Sequence, residues 1–355
     1  PVLSITKNDG IVLQSEKFKK RIASKDTANY KIVHRGQLVQ GIHIDEANFG
    51  IQEVVDIGIV SPAYKIWDIK RNAIVPKYLE VVLRSPRSIA YYASKFNGSI
   101  KRRERLSDKD FLQMRIPCPS VDEQIYAIEV LDKIIALIDS RKQQLLELDN
   151  LIKARFVELF GDININDKNW KYEPLGELCT IVRGGSPRPI EQFLGGDVPW
   201  IKIGDATDGD SIYLNSTKEH IIQEGIKKSR LVKEGSLIFA NCGVSLGFAR
   251  IITFDGCIHD GWLAMEDIDE RLDKVFLLQA LNQMTEHFRA IAPAGTQPNL
   301  NTAIMKACKQ VIPPIELQRE FINFAKQVTK SKVAVQKALD ETQILFDSLM
   351  QEYFG

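Results

Sequence analysis

Two stretches of the chain that lie 194 positions apart have closely similar sequences, and they decide how the fold is organised. Residues 119–161 read PSVDEQIYAIEVLDKIIALIDSRKQQLLELDNLIKARFVELFG, and residues 313–355 read PPIELQREFINFAKQVTKSKVAVQKALDETQILFDSLMQEYFG. Nine of the 43 aligned positions are identical, whereas chance would give about two or three at typical residue frequencies. The sequence therefore predicts an internal duplication.

Each copy of the repeat predicts a long helix that begins after a proline. Ser120 or Asp122 can cap the start of the first helix, and Gly161 is suited to end it. Apolar residues recur at steps of three and four, which is the pattern of a coiled-coil seam. The residues expected to pack in this seam are Ile128, Leu131, Ile135, Ile138, Leu145, Ile152 and Phe156 of the first copy and Leu339, Phe346 and Leu349 of the second.

The length of the two helices indicates how they are arranged. A helix of roughly 38 residues is near 55 Å long, which is longer than one globule can cover. We therefore expect the helices to pair antiparallel about a pseudo-twofold axis, and two independent surface helices are the alternative. Lys142 and Asp149 interrupt the seam of the first helix, and polar seam positions of this kind can fix register and partner choice.

Outside the helices, the chain predicts two globules of mixed α and β structure. Residues 236–265 alternate β-rich runs with glycine-bounded turns, which is typical of strands. Residues 78–96 and 274–291 are predicted to be helices at equivalent places of the two globules. Residues 33–39, VHRGQLV, also match residues 232–238, VKEGSLI. Each globule is therefore expected to be α+β, with a mixed or antiparallel sheet.

These patterns divide the chain into four segments. We predict a first globule at residues 1–116, a first spacer helix at 117–161, a second globule at 162–312 and a second spacer helix at 313–355. By this alignment, the first globule lacks a counterpart of residues 162–198, so that it is expected to be short at its N-terminal side.

Composition narrows the class of protein. With 44% apolar and 26% charged residues, the chain can form hydrophobic cores and does not have the composition of a disordered protein. The net charge is +1, so any nucleic-acid binding must use local basic patches. The five cysteines are scattered and never form a CxxC pair, which predicts a reducing, cytoplasmic location without disulfides or structural zinc. We find neither a signal peptide nor an apolar run of about 18 residues.

Several patterns could indicate catalysis, and each has a simpler interpretation. Residues 243–247, GVSLG, fit the serine nucleophile motif, which needs a following helix. Residues 248–254, FARIITF, instead predict a strand, so a hairpin turn is favoured. Asp205, Asp208 and Asp210 lack the later glutamate of a calcium loop, and a solvated turn is favoured there. The histidines show no ligand spacing, and no phosphate-binding loop occurs, so no catalytic group, metal or cofactor is predicted.

Basic and amide side chains at matching places of the two globules are candidates for DNA contact. Residues 94–109, SKFNGSIKRRERLSDK, are basic, whereas residues 295–301 of the second globule read GTQPNLN. Arginine suits phosphates and guanine edges, and glutamine and asparagine suit adenine edges. A smaller basic patch, formed by Lys227, Lys228 and Arg230, and the small turn residue Ser245 could contact the phosphate backbone. The predicted DNA-binding residues are Lys101, Arg102, Arg103, Arg105, Lys227, Lys228, Arg230, Ser245, Gln297, Asn299 and Asn301. The alternative for the charged residues is an ordinary solvated surface.

Taken together, these features resemble the specificity subunit of Type I restriction-modification systems. The resemblance rests on the order of several motifs along essentially the whole chain. They are PVLSITKNDGIV (1–12), YKIVHRGQLV (30–39), GIVSPAY (58–64), IPCPSVDEQ (116–124), LGELCTIVRGGSPRP (175–189), DVPWIKIGD (197–205), IPPIELQ (312–318) and the helix ends LFG and YFG. The family pattern would include a second RGGSPRP-type stretch in the first globule, which this chain lacks.

The resemblance implies a non-catalytic subunit that recognises a split target in double-stranded DNA. Each globule would read one half of the target, and the coiled coil would set the gap and dock two modification subunits. Those subunits would bind S-adenosylmethionine, and restriction subunits would bring ATP and magnesium, so that this chain itself would hold no cofactor. The resemblance leaves open whether such a complex only methylates DNA or also cuts it.

Two other classes of protein are compatible with parts of the sequence. A non-catalytic adaptor, in which two domains on a coiled coil hold other proteins, would need no DNA contact. A fused restriction enzyme would need its own active site, and the absence of nuclease, methyltransferase and phosphate-loop motifs from the sequence argues against it.

Overall fold

A computed structural model of the chain describes residues 1–6, 10–18, 27–43, 46–70, 73–95, 106–207, 212–243, 245–293 and 299–355. The chain forms two compact units, here called unit 1 (residues 1–144 and 335–355) and unit 2 (residues 145–334). Each long helix therefore contributes one part to unit 1 and the other to unit 2. The predicted segments 1–116 and 162–312 are the parts of the two units that lie outside the long helices.

Unit 1 combines short antiparallel strands with helices. Its elements are β1 (Leu3–Thr6), β2 (Gly10–Leu13), α1 (Gln14–Lys17), β3 (Lys31–His34), β4 (Leu38–Gln40), β5 (Phe49–Ile51), β6 (Ile57–Val60), β7 (Lys65–Trp67), α2 (Pro76–Leu83), α3 (Pro86–Lys95), α4 (Asp108–Leu112) and the start of α5 (Val121–Phe160). β4 lies between β5 and β7, β3 pairs with β6, and β1 pairs with β2. A core that contains Phe49, Leu83 and Tyr92 packs α2 and α3 against the β4 sheet.

Unit 2 has a larger mixed sheet. Its elements are β8 (Tyr172–Pro174), α6 (Leu175–Leu178), β9 (Thr180–Arg183), β10 (Leu194–Ile201), β11 (Tyr213–Leu214), β12 (Glu219–Ile221), β13 (Arg230–Val232), β14 (Leu237–Ala240), β15 (Ala249–Ile252), β16 (Gly256–Ile258), β17 (Trp262–Glu266), α7 (Lys274–Gln283), α8 (Thr285–Ile291), α9 (Thr302–Ala307), β18 (Lys309–Val311) and the start of α10 (Ile315–Phe354). The sheets have the orders β11-β15-β14-β17-β9 and β12-β10-β16-β13.

Strand pairing confirms that the globules are duplicated. In unit 2, β14 pairs antiparallel with β15 and β17, and β13 pairs antiparallel with β16. In unit 1, β4 pairs antiparallel with β5 and β7, and β3 with β6, in the same order along the chain. A parallel contact occurs at the matching place of each unit. In unit 2, β10 pairs parallel with β16 through Trp200 and Cys257, and in unit 1, Val2 forms an isolated parallel bridge with Ile59 of β6. The predicted α+β class is therefore confirmed.

The helical stretches predicted at 78–96 and 274–291 are each divided into two helices. In unit 1, the break falls at Ser85 and Pro86, because proline cannot continue the preceding helix. In unit 2, the break falls at Met284 and Thr285, where the Thr285 hydroxyl donates to the Gly247 carbonyl at 2.6 Å. The sequence signals the first break, whereas a contact distant in the chain accompanies the second.

The long helices α5 and α10 have 40 residues each, and their parts pair antiparallel within each unit. In unit 1, Ile128 and Leu131 of α5 share a core with Phe354 at the end of α10, and further along α5, Arg141 donates to the Ala338 carbonyl. In unit 2, Asp149 of α5 forms an ion pair with Lys332 of α10, and Arg155, later in α5, forms one with Glu320, earlier in α10. This order of contacts is that of an antiparallel pair.

The polar interruptions of the predicted seam have different surroundings. Asp149 forms an ion pair with Lys332, whose side chain is only 17% exposed. Lys142 is exposed, and the neighbouring Arg141 bonds to α10 instead, through the Ala338 carbonyl and the Thr342 hydroxyl. Each unit therefore contains polar contacts between α5 and α10, which favour a single register of the helix pair.

The seam of α5 differs from the prediction at one position. Ile135 is 43% exposed, whereas Ile134 is 6% exposed. The buried positions are Ala127, Leu131, Ile134 and Ile138, which follow the three-four spacing of a heptad. The prediction of Ile135 was wrong because alanine was not counted as a seam residue, which shifted the pattern by one position.

The other predicted seam residues are more enclosed than Ile135. Ile128, Leu131, Ile138, Ile152 and Phe156 are buried, and the four that lie between buried and exposed are Leu145, Leu339, Phe346 and Leu349. Gly161 and Gly355 end the two helices in the left-handed region, at φ 76° and 77°. In the part of the chain that the structure describes, no helix is long and apolar enough to span a membrane.

Candidate nucleic-acid interface

A buried glutamine fixes the start of α5 to the globule of unit 1. Gln124 is fully buried, and its side-chain amide donates to the carbonyls of Ala73 and Pro119 at 2.8 Å each. Its side-chain oxygen accepts a hydrogen bond from the Val75 backbone N–H, also at 2.8 Å. Since Val75 directly precedes α2, one side chain determines where α2 stands on the long helix.

The same device occurs in unit 2 at the start of α10. Gln318 is fully buried and donates to the carbonyls of Arg271 and Pro313 at 2.9 and 2.7 Å. Its oxygen accepts from the Asp273 N–H, which precedes α7, at 2.8 Å. The identical pair Gln124 and Gln318 of the repeat therefore has one structural role, which is to orient each globule on its helix.

In unit 2, the RGGSPRP stretch forms a loop that packs against two neighbouring strands. The backbone N–H groups of Gly184 and Gly185 donate to the carbonyls of Trp262 and Ile258 at 2.9 and 3.0 Å. The Ser229 hydroxyl donates to the Gly185 carbonyl at 2.8 Å. A Cβ atom on Gly184 would lie 2.1 Å from the His259 carbonyl, so only glycine fits there. These contacts place the loop beside Ser229. In the sequence, Ser229 lies between Lys228 and Arg230 of the predicted basic patch.

The same loop is linked to the residues that precede the GVSLG turn. The Ser186 hydroxyl donates to Asp260 at 2.7 Å, and the Arg183 side chain donates to the Asp260 carbonyl at 3.2 Å. The next residue, Gly261, accepts a hydrogen bond from the Asn241 N–H at 3.0 Å. Burial raises the pKa of the neighbouring Cys242 thiol, and the Asp260 carboxylate raises it further. Since Cys242 forms a β-bridge with Asn299, consecutive contacts connect the basic patch, the RGG loop, the start of the GVSLG turn and Asn299, and this part of unit 2 is here called its edge.

The basic residues of this edge are exposed. Lys227, Lys228 and Arg230 are exposed, and the Lys228 ammonium lies 4.7 Å from the centroid of the Phe193 ring. Arg183 and Arg188 of the RGG loop are also exposed, and the Arg188 side chain lies 3.8 Å from Asp260. These two arginines were absent from the predicted set, although the RGGSPRP motif itself contains them.

The predicted amide side chains have structural roles as well. Asn299 accepts a hydrogen bond from the buried Asn241 amide at 3.1 Å. Asn301 caps α9, since its side chain accepts from the Ile304 N–H at 2.9 Å. Ser245 is half-buried in its turn, and Gln297 lies outside the described residues. Recognition of bases by Asn299 and Asn301 stays a prediction, and the side-chain oxygen of Asn301 is already used by the cap.

In unit 1, Lys101, Arg102, Arg103 and Arg105 lie outside the described residues. Lys95, which precedes them at the end of α3, lies 5.8 Å from the Tyr91 ring centroid. It lines a cavity of about 400 Å³ together with Arg87 and Arg115. Three cations around one cavity make an environment that favours an anionic group.

The patterns that could indicate catalysis are accounted for by structure. A strand, β15, follows the GVSLG turn, and it pairs antiparallel with β14, as predicted for a hairpin. Asp205 accepts from the Lys202 N–H and the Thr217 hydroxyl at 2.8 and 2.9 Å, so it closes a turn, and Asp208 and Asp210 lie outside the described residues. Among the described residues, no cluster of three or more potential metal ligands is found.

The pKa of His259, which lies at this edge, is lower than that of a free imidazole. Burial lowers the pKa of its imidazole, which favours the neutral form. Its Nδ1 accepts from the Gly261 N–H at 2.7 Å, so that the proton of the neutral ring is on Nε2. The ring is therefore held by the turn that packs against the RGG loop.

Comparison with known proteins agrees with this architecture. A family model described as Type I restriction modification DNA specificity domain matches residues 167–342. The specificity subunit of the Type I restriction enzyme MjaIX of Methanocaldococcus jannaschii is 22% identical over 48% of this chain and 40% of its own length. The putative MjaX specificity subunit of the same organism is 20% identical over 76% of this chain and 66% of its own length. The chain thus spans less than two thirds of these relatives.

A solved structure also shares the fold. A chain from a study of complex assembly and conformational transition of the type I R-M system superposes with a TM-score of 0.63 at 17% identity, over 93% of this chain and 84% of that chain. The matched family model leads to one assignment: residues 167–342 form a Type I restriction-modification DNA specificity domain, and the related sequences carry the same family name.

Proposed function

We propose that the chain recognises a bipartite sequence in double-stranded DNA as the specificity subunit of a Type I restriction-modification complex. Each globule reads one half of the target, and the paired helices set the gap between the halves. The observation that carries this proposal is the duplication: two globules of one topology are each fixed to a long helix by the same buried glutamine. Two similar readers attached to one stiff pair of helices suit two half-sites at a fixed distance.

The edge of unit 2 supports DNA contact by its chemistry. Exposed arginines and lysines suit phosphates, and the half-buried amide of Asn299 suits the edge of a base. In unit 1, the basic segment at residues 101–105 and the cavity lined by Arg87, Lys95 and Arg115 would supply the corresponding contacts.

The other components of the complex would be separate chains. Two modification subunits would dock on the outer faces of the long helices and bind S-adenosylmethionine, and restriction subunits would bring ATP and magnesium. The chain itself is proposed to hold no cofactor and to act in the cytoplasm. Exposed apolar residues on the long helices are consistent with such docking, since Leu137 and Leu146 of α5 and Ile344 of α10 are 50%, 59% and 66% exposed.

Salt dependence distinguishes this function from that of an adaptor protein. Binding of the purified chain to duplex DNA, measured by fluorescence anisotropy, should weaken steeply as salt rises, because each neutralised phosphate releases counterions. Replacing Lys227, Lys228 and Arg230 by alanine should reduce the slope by about one for each phosphate that these side chains neutralise. The same replacement of Lys326, Lys330 and Lys337 on α10 serves as the matched control. An adaptor would show equally weak, salt-insensitive binding in all three proteins.

A further inference from the structure

Unit 1 contains a cavity of about 470 Å³ where the start of α5 meets the end of α10. The lining includes three tyrosines (Tyr78, Tyr126 and Tyr353), the carboxylates of Glu123 and Glu352, and the small side chain of Ala127. Among the described residues, the lining contains no lysine or arginine. Aromatic rings together with carboxylates form an environment that attracts a cation.

The duplication explains why this space is open. Ala127 follows Gln124 by three positions, and Phe321 follows Gln318 by the same number. The Phe321 ring is fully buried in unit 2 and lies 5.3 Å from Phe156 and 5.7 Å from Phe160, measured between centroids. Alanine at the matching position of unit 1 leaves the volume of that ring empty.

One aromatic pair of the cluster is kept in both units. The Tyr78 and Phe354 rings are 5.3 Å apart in unit 1, and the matching Phe276 and Phe160 rings are 4.8 Å apart in unit 2. Unit 1 therefore keeps this pair with one added hydroxyl, but it lacks the Phe321 and Phe156 rings, because Ala127 and Met350 stand at the matching positions.

Unit 2 shows how an arginine is held at the equivalent place. Arg155 of α5 donates to Glu158 at 2.8 Å and to Glu320 at 2.6 Å. Its guanidinium carbon lies 5.8 Å from the centroid of the Phe324 ring. An arginine of the chain itself thus lies between carboxylates and an aromatic ring.

The duplication keeps the carboxylate in unit 1 and removes the arginine. Glu352 matches Glu158, whereas Leu349 stands where unit 2 has Arg155. Within the described part of the chain, Glu352 forms no ion pair, and Glu123 bonds only to Ser120. Unit 1 therefore retains the acidic partner of an arginine that it does not contain.

A buried hydroxyl is a second, independent sign of a missing polar group. Tyr78 is 1% exposed, and among the described residues its hydroxyl has no hydrogen-bond partner. Burial raises the pKa of Tyr78, and the nearby Cys118 thiol, which also lines the cavity, raises it further. An unpaired buried hydroxyl costs free energy, and the matching residue Phe276 avoids that cost because it has none.

Exposed apolar side chains at the start of α5, the helix that supplies Glu123 and Tyr126 to the cavity, indicate what kind of molecule presents the cation. Val121 and Ile125 at the start of α5 are each 43% exposed, and Tyr126 is 63% exposed. Exposed apolar side chains of this kind favour contact with a protein surface over binding of a free polyamine.

We propose that this cavity receives an arginine side chain from a partner protein, with its guanidinium held between the tyrosine rings and the Glu123 and Glu352 carboxylates. Guanidinium fits because it is planar, stacks on aromatic faces and bonds a carboxylate with two donors. This role is separate from DNA recognition and does not depend on it.

The direct test is a titration of the full chain, with labelled tyrosine rings, by nuclear magnetic resonance. The probe is the peptide acetyl-Leu-Arg-Leu-amide, and the control replaces arginine by citrulline, which has the same shape without the charge. We expect saturable shifts of Tyr78, Tyr126 and Tyr353 with a Kd of about 1 mM, as suits a single side chain, and at least tenfold weaker binding of the citrulline peptide.

Variants taken from the duplication sharpen the test. Ala127→Phe fills the cavity as in unit 2 and should abolish binding, and Glu352→Gln should weaken it at least tenfold. Glu158→Gln is the matched control in unit 2 and should leave it unchanged. If Ala127→Phe does not fold, as judged by thermal unfolding, Glu352→Gln and Glu158→Gln decide the result.

Three outcomes would overturn the proposal. They are no saturable binding of the arginine peptide, equal binding of the citrulline peptide, and equal effects of Glu352→Gln and Glu158→Gln. Binding of spermidine as tight as that of the arginine peptide would contradict a protein as the source of the cation. Each result is independent of DNA affinity, so a chain that binds DNA normally can still fail this test.

Discussion

The two places where a long helix starts on its globule have the same framework and different surroundings. Gln124 and Gln318 make matching sets of three hydrogen bonds, and Tyr78 with Phe354 repeats the aromatic pair of Phe276 with Phe160. Around this framework, unit 2 is closed by Phe321, Phe156 and an internal arginine, whereas unit 1 has Ala127 and Met350 at the matching positions of the two phenylalanines and an open cavity. The shared positions therefore hold the geometry of the fold, and the divergent positions determine what each surface can bind.

The largest effect on stability is expected from a substitution in the closed aromatic cluster of unit 2. Phe321→Ala removes a fully buried ring that packs on Phe156 and Phe160, and it should lower the free energy of unfolding by about 3–5 kcal/mol. Ala127→Phe in unit 1 fills existing space and should change it by about 1 kcal/mol or less. Urea unfolding of the two variants measures the difference. Equal effects would mean that the matching positions are packed alike.

Replacement of either buried glutamine is expected to have a smaller effect on stability, and the effect should be of similar size in the two units. Gln124→Leu and Gln318→Leu each leave one backbone N–H and two carbonyls without their partner, at a cost of about 1–3 kcal/mol. Gln327→Leu on the exposed face of α10 is the control and should have little effect. Hydrogen exchange at Val75 and Asp273 reports the two bonds directly. Unchanged protection at either amide in its variant would contradict the role assigned to the glutamine.

The smallest effect concerns the charge of two carboxyl groups in unit 2. Bonds from Arg271 lower the pKa of Glu173 and of Asp269 to about 2, and Ala73 stands at the matching place of unit 1. Both carboxyls have lower pKa values in the folded chain than in the unfolded one. Their contribution to stability is therefore present above pH 4.5 and is lost as the pH falls towards about 2.

Replacement of Arg271 tests this pH dependence. The melting temperature of Arg271→Met should lie below that of the parent chain at pH 6, and the difference should shrink between pH 4.5 and pH 2. Arg319→Met, at an exposed position of α10, is the control. A difference between Arg271→Met and the parent chain that is the same at pH 6 and pH 2 would rule out the carboxylates as its cause.

The elements that the sequence predicted well are those with long or repeated signals. The duplicated helices could be read from apolar periodicity, the prolines before them and the glycines after them, because these signals extend over 40 residues. The GVSLG turn was also interpreted correctly, since the β-branched residues after it exclude the helix that a nucleophile motif needs.

Features that depend on contacts between distant parts of the chain could not be predicted in the same way. Gln124 was visible as an identity in the repeat, but its partners, Ala73 and Val75, are about 50 residues away. The seam position of Ala127 was missed because a small side chain carries almost no hydrophobic signal. The assembly of the RGG loop, the GVSLG turn and Asn299 at one edge likewise depends on strand order, which the sequence does not state.

We propose that the two globules recognise separate halves of one DNA target. Sequencing of the methylated positions in a host genome is the direct test of this proposal. The host would express the chain with its modification subunits, once as it is and once with residues 162–312 replaced by the corresponding domain of another family member. We expect the methylated motif to be split. The replacement should change one half of it, and the other half and the gap should stay the same. A change in both halves, or in neither, would contradict it.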